Sequence, residues 1–300
     1  MDLSIFAGAF EQGLLWSIMV LGVYVTFRVL DYADLTVDGS FALGAAVAAR
    51  LVFEGYDPWL GTIVALAAGA VAGVITGILH TQFKIAPLLS GILSMIALYS
   101  VNLRVMGKAN ISLLRMETII SRLTGLGVPG EWAVLVIGLA SASIVILLLW
   151  LFLNTEIGFA MRATGDNQQM IRSLGVNTNV MKMAGLGISN ALVAFSGALV
   201  AQYQNFADVG MGIGTIVVGL ASIIIGEVLF GNKTMVRTLI AVVLGSIVYR
   251  MVIAIVLQLG LPPTDLRLFT ALIVALALAS PVLKDKLQGL IASGRSGQSA

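Results

Sequence analysis

Residues 154–182 read NTEIGFAMRATGDNQQMIRSLGVNTNVMK. This polar island decides how the rest of the chain is read. Ahead of it, residues 131–153 are almost wholly apolar. Behind it, residues 183–206 are again apolar, and each stretch is long enough to cross a bilayer. A compact polar element held between two spans sits on one side of a membrane, where it can touch a partner.

Working outward, the same alternation covers the chain. Of 300 residues, 59% are hydrophobic and 11% charged, with a mean hydropathy of +1.02. A soluble domain carries roughly 25% charged residues, so a soluble fold would have almost no polar surface to show to water. The chain is therefore an all-α polytopic membrane protein. About nine spans are expected, near residues 5–28, 39–54, 58–80, 85–107, 131–153, 183–206, 214–230, 234–260 and 264–283. The second is short and follows the irregular segment DYADLTVDGS, which predicts a broken or re-entrant helix. Residues 1–284 form a single transmembrane domain, with 154–182 as its cytoplasmic coupling segment. Residues 285–300 form a Gly/Ser-rich cytoplasmic tail, expected to be disordered.

Several function classes fall away. There is no cysteine, and His80 is the only histidine, so thiolate metal sites and His-paired catalysis are not expected. No cofactor or metal site is expected. The net charge is +2 and no dense basic run occurs, so nucleic acid is not an expected partner. The first 27 residues lack Lys and Arg, and no cleavable signal peptide is expected.

Orientation follows from cations near span ends. With the island in the cytoplasm, Arg28, Lys84, Arg162, Arg172, Lys182, Lys233, Arg237, Lys284, Lys286 and Arg295 share that side. Arg50, Arg104, Lys108, Arg115, Arg122, Arg250 and Arg267 lie on the other. That is 10 cations against 7, and it places the N-terminus outside.

Tyr32-Ala33-Asp34 leads into Gly39-Ser40 and Gly44, while Phe206-Ala207-Asp208 leads into Gly214-Thr215 and Gly219. Either the pair marks an inverted-topology duplication, as in many transporters, or two Gly-rich junctions are alike by chance. Gly69, Gly73 and Gly77 line one helix face and let another backbone come close. Packing within the subunit is the favoured use, and a dimer contact is the other. Gly210, Gly212 and Gly214 follow a span rather than a strand, so they are not a nucleotide loop.

Polar groups at depth are candidates for function. Asn102, Asn190, Gln202, Gln204 and Asp208 could line a path for a polar solute, or bond helix to helix. Glu227 is expected in an ion pair with Lys233 or Arg237, and Arg250 has no partner legible in the sequence.

Within the island, Asp166 is placed to cap a short helix and Gln169, three residues on, completes a capping box. Gly175 closes the helix. Met170, Ile171 and Leu174 then form one apolar face. So short a helix is marginal alone. Docking of that face into a partner's groove, with Arg162 and Arg172 at the rim, gives it a purpose. An amphipathic turn on the membrane surface is the other reading.

At these residues the chain resembles the permease subunits of bacterial ATP-binding-cassette importers, in the branched-chain amino acid/ribose-type permease family. The likeness is carried by Gly158 to Asn167 (GFAMRATGDN), by Ser173 to Thr178 (SLGVNT) and by Ile188 to Leu199 (ISNALVAFSGAL). Leu35 to Ala45 (LTVDGSFALGA) resembles the family's second-span entry. Within the family the chain is most similar to a branch assigned to tryptophan or other aromatic amino acids, although its external segment from Lys108 to Gly130 is long and charged.

The resemblance implies a permease in the bacterial inner membrane. It would form the solute path for a small polar solute such as an amino acid. Its partners would be two separate ATPase subunits, a second and identical permease, and an extracytoplasmic solute-binding protein. It also implies that Asp166 to Leu174 form the coupling helix. The chain has no Gly-x-x-x-x-Gly-Lys-Ser/Thr motif, so it is not expected to be an enzyme and the energy source is another chain. A gradient-driven secondary transporter or channel is the alternative, and a membrane scaffold with no path a third.

Overall fold

The computed structural model describes residues 3–258, together with positions 268, 272 and 275. Helix α1 runs Leu3–Tyr24 and continues as one turn of π-helix, Val25–Val29. Helices α2 (Thr36–Phe53), α3 (Pro58–Thr81) and α4 (Pro87–Met106) follow. Then come strand β1 (Asn110–Ser112), α5 (Ile119–Gly125) and α6 (Gly130–Leu153). The island forms α7 (Glu156–Asp166) and α8 (Gln168–Ser173). Helix α9 (Thr178–Gln204), β2 (Phe206–Asp208), α10 (Thr215–Phe230) and α11 (Met235–Gln258) complete the described chain.

Among the described residues, seven helices are long and apolar enough to cross a membrane. Eight of the expected spans correspond to helices, but α10 has only 16 residues. At about 1.5 Å per residue it is roughly 24 Å long, short of the hydrocarbon core. The expected span at 264–283 and the tail lie outside the described residues, so a count of nine is not established.

The second span departs from expectation. Helix α2 is unbroken over 18 residues. The irregular backbone is confined to residues 30–35, ahead of it. There Tyr32 and Asp34 are buried, and the Asp34 carboxylate accepts from the Thr36 amide (2.9 Å) and from Asn190 Nδ2 of α9 (2.7 Å). Non-helical backbone is tolerated at membrane depth because the protein itself supplies these bonds.

Helix α9 is the buried centre, packed by α1, α2 and α3. The glycine face of α3 lies on it. A Cβ at Gly69 would stand 2.3 Å from the Asn190 carbonyl oxygen, and one at Gly73 2.1 Å from that of Leu186. The small-residue face thus serves packing within the subunit, as favoured. Helices α3, α4 and α6 each leave an apolar face open, with Ile63, Ile75, Leu93, Ile96, Ile144 and Leu148 exposed.

The all-α expectation needs one amendment. Strands β1 and β2 pair antiparallel, Ile111 opposite Ala207. The sequence hides this pair because each strand is only three residues long and the partners lie nearly a hundred positions apart. In the external segment Thr118 and Ser121 form the capping box of α5.

Candidate functional site

The island folds as two helices rather than one. Thr155 caps α7, its hydroxyl accepting from the Gly158 amide (3.2 Å). Asn167 caps α8, its side chain accepting from the Met170 amide (3.0 Å). Asp166 is therefore not the cap. It is the last residue of α7, and the break comes one residue later, where Asn167 turns to extended backbone. Gln169 is exposed in α8 and forms no capping box. Gly175 does close α8, with φ +88°.

The apolar face also divides. Ile171 is buried, whereas Met170 and Leu174 are 52% and 69% exposed. Beneath them Met161 of α7 is fully buried, and Gly165 lies so close to Val29 that a Cβ would meet its carbonyl oxygen at 2.2 Å. The helix pair is anchored from below and presents Met170 and Leu174 outward. The two arginines differ. Arg172 donates through Nε to Thr178 Oγ1 (2.7 Å), which ties α8 to the start of α9. Arg162 stacks on Phe159, 5.7 Å from the ring centre.

The five expected path residues do not converge. Asn190 Nδ2 is committed to Asp34 and to the Leu186 carbonyl (2.9 Å), while its Oδ1, buried between helices, has no partner. Gln202 braces two elements, accepting from the Ile119 amide (3.0 Å) and donating to Thr62 Oγ1 (2.8 Å). Asp208 accepts from the Gly210 amide two residues on (2.8 Å), as a turn former does. Gln204 is half-buried at the end of α9. These are interhelical and turn bonds, the alternative left open by the sequence.

Asn102 stands apart. Its Nδ2 donates to the Gly39 carbonyl (3.2 Å), while its buried Oδ1 has no partner. It lines a cavity of about 370 Å³ between α2, α4 and the 209–213 segment. Asp38, Tyr99 and Ser100 share that wall, with Met95, Ile96 and Ile213 as its apolar part. Such a volume holds a small ligand. Polar groups at this depth need a wet cavity or a partner.

Asp38 is the residue that sequence reasoning misses. Its carboxylate accepts from the Gly214 amide (2.8 Å), the Ile216 amide (2.9 Å) and Thr215 Oγ1 (2.9 Å). It thereby caps α10 from another helix and satisfies donors that the helix start leaves unpaired. The signal that would find it is an ionisable residue in the first turn of a span.

Two further expectations resolve. Glu227 is ion-paired, but with Arg28 in the π-helical turn that follows α1, through Nε (2.9 Å) and Nη2. Arg237 instead donates to the Phe230 carbonyl (2.7 Å). Arg250 lies over the Trp16 ring at 3.8 Å and reaches Gln12 Oε1 at 3.5 Å. No group of His, Cys, Asp and Glu that could hold a metal occurs among the described residues.

Residues 5–279 match the family model described as branched-chain amino acid transport system / permease component. The chain is 45% identical over 277 residues to the tyrosine transport system permease protein of Clostridioides difficile, covering 92% of this chain and 91% of that one. It is 37% identical to an uncharacterized protein of Rickettsia prowazekii, over 94% of this chain and 100% of the other. Among solved structures it is similar to a metal-chelate type ABC transporter in an inward-facing conformation, with 16% identity, a TM-score of 0.49, and coverage of 93% and 85%.

Proposed function

The chain belongs to the family of permease components of branched-chain amino acid transport systems, and is a transmembrane permease subunit of an ATP-binding-cassette importer; from that premise we propose that α8 docks a separate ATPase and that the α2/α4 cavity takes the solute. The carrying observation is the pairing of exposed Met170 and Leu174 with a buried Ile171 on a rigidly anchored helix pair. Two large apolar side chains on a polar surface make sense when a partner covers them. Asp166, Gln169 and Arg162 stand at the rim of that face, and Gly175 ends it.

The functional unit is a pair of identical permeases in the bacterial inner membrane, served by two ATPases and an external solute-binding protein. A homodimer is the simplest symmetric arrangement for one permease type. An amino acid is the solute class, supported by the tyrosine-transport name of a relative. The starts of α2 and α10 support an inverted repeat: Asp34 and Asp208 each accept from the amide two residues on.

The docking test is Met170→Asp with Leu174→Asp. The permease should remain folded and lose co-purification with its ATPase; a complex that survives intact overturns the docking assignment. For the cavity, Ser100→Trp should abolish most solute uptake while the ATPase still co-purifies. Uptake at the unaltered rate would remove the cavity from the path.

A further inference from the structure

A second cavity, of about 720 Å³, opens at the end of the bundle that carries the island. It lies between the end of α3, the α3–α4 turn, α8 and the start of α9. Its wall carries His80, Lys84, Arg172 and Lys182, and neither Asp nor Glu lines it. None of the four ion pairs found among the described residues involves Lys84, Arg172 or Lys182.

The neutral contacts of these side chains leave charge to spare. His80 Nδ1 lies 2.8 Å from the Ile85 carbonyl oxygen, which sets it as the donor and leaves Nε2 as the acceptor. Lys182 Nζ donates to that Nε2 (3.2 Å) and to Gln168 Oε1 (3.3 Å). Lys84 Nζ has no hydrogen bond or ion pair among the described residues. Lys84 also occupies a left-handed conformation, φ +56°, where a glycine would cost nothing. Three basic side chains therefore face one polar cavity with no carboxylate in its lining.

We propose that this cavity binds a phosphate group, held by Lys84, Lys182 and Arg172. The shared chemistry is a phosphate oxygen facing two ammonium groups and a guanidinium, the arrangement by which proteins hold phosphate. Two sources supply that group: the headgroup of an anionic phospholipid, or free phosphate in the cytoplasm. The setting suits the headgroup, because Phe83, next to Lys84, and Leu88, in the first turn of α4, are 68% and 53% exposed and offer apolar surface to acyl chains. Basic pockets at the cytoplasmic ends of membrane helices are where anionic headgroups settle. The inference rests on the chain being a membrane permease and is independent of the solute cavity and of the apolar face of α8.

The test uses the purified permease–ATPase complex in detergent and measures its Tm with added phosphatidylglycerol, phosphatidylcholine or inorganic phosphate. Phosphatidylglycerol should raise the Tm of the natural chain by roughly 5 °C at saturation, and phosphatidylcholine should not. Lys84→Gln with Lys182→Gln should lose that rise while keeping the ATPase bound. If inorganic phosphate alone reproduces the rise, the source is the free anion; if only the lipid does, it is the headgroup. No rise with either probe, or an equal rise in the double variant, overturns the proposal. So does a double variant that sheds its ATPase while keeping the lipid effect, since the cations would then belong to the protein interface. Loss of ATPase docking through Met170 and Leu174 alone would leave the Tm rise in place.

Discussion

Two polar interruptions break this apolar chain, and they are solved in opposite ways. Residues 154–182 leave the membrane, fold as two capped helices, and expose Met170 and Leu174. Residues 30–38 stay inside it. Asp34 is 2% exposed and bonded to Asn190 and Thr36, and Asp38 spends its carboxylate on three donors at the start of α10. At the surface, water satisfies whatever the protein leaves unpaired. At depth nothing does, so these carboxylates are matched by donors from the protein itself. The first region is free to meet a partner because its fold does not depend on its exposed side chains. The second has no such freedom.

The largest effect should come from breaking the inner region. Asn190→Leu keeps the volume and removes the donor to Asp34, which should cost about 1–3 kcal/mol, and more if the carboxylate stays ionised. Thermal unfolding of the purified protein measures it. Asp34→Asn keeps an acceptor for the Thr36 amide, and the unpaired Asn190 Oδ1 can turn to meet the new amide, so it should cost less than Asn190→Leu. The reverse order would show that the charge of Asp34 is needed.

The outer region should respond very differently. Met170→Asp with Leu174→Asp should change stability by only about 0.5 kcal/mol, as exposed substitutions do, while removing the ATPase. A large loss of Tm would mean that the two side chains belong to the fold, and the contrast between the regions would fail.

The smallest effect lies at the opposite end of the bundle. Asp57 caps α3 by accepting from the Trp59 amide (2.8 Å) and pairs with Arg122 of α5. That amide and the arginine hold its carboxyl below the usual 3.8. A depressed folded value means that its contribution is complete above about pH 4 and is lost as the pH falls through the folded value. Asp57→Asn should therefore lower stability slightly at neutral pH, and the two proteins should converge as the pH falls through the folded value. A pH titration of the Tm for both proteins decides it.

Much of this was legible from residue order. The island, its position between spans, the closing Gly175 and the family likeness all rest on local pattern. So did the glycine face of α3, although its partner α9 did not. The misreadings share a cause. Asp166 and Asn167 are adjacent and both can cap a helix, and which one does depends on where α7 stops. Gln202 and Asn190 look like solute-path residues until Thr62, Ile119 and Asp34 are placed beside them. Asp38 looks like an ordinary first-turn acid until α10 begins against it.

By itself the sequence determined that the chain crosses a membrane many times, where its polar island falls, and which family it joins. Those follow from hydropathy and short-range spacing, which need no knowledge of neighbours. Only the tertiary structure decided which polar groups are bracing and which are free, because pairing at depth is made between residues far apart in the chain. Asn102 keeps an unpaired oxygen on a cavity wall and Gln202 does not, and no feature of either residue's own surroundings in sequence tells the two apart.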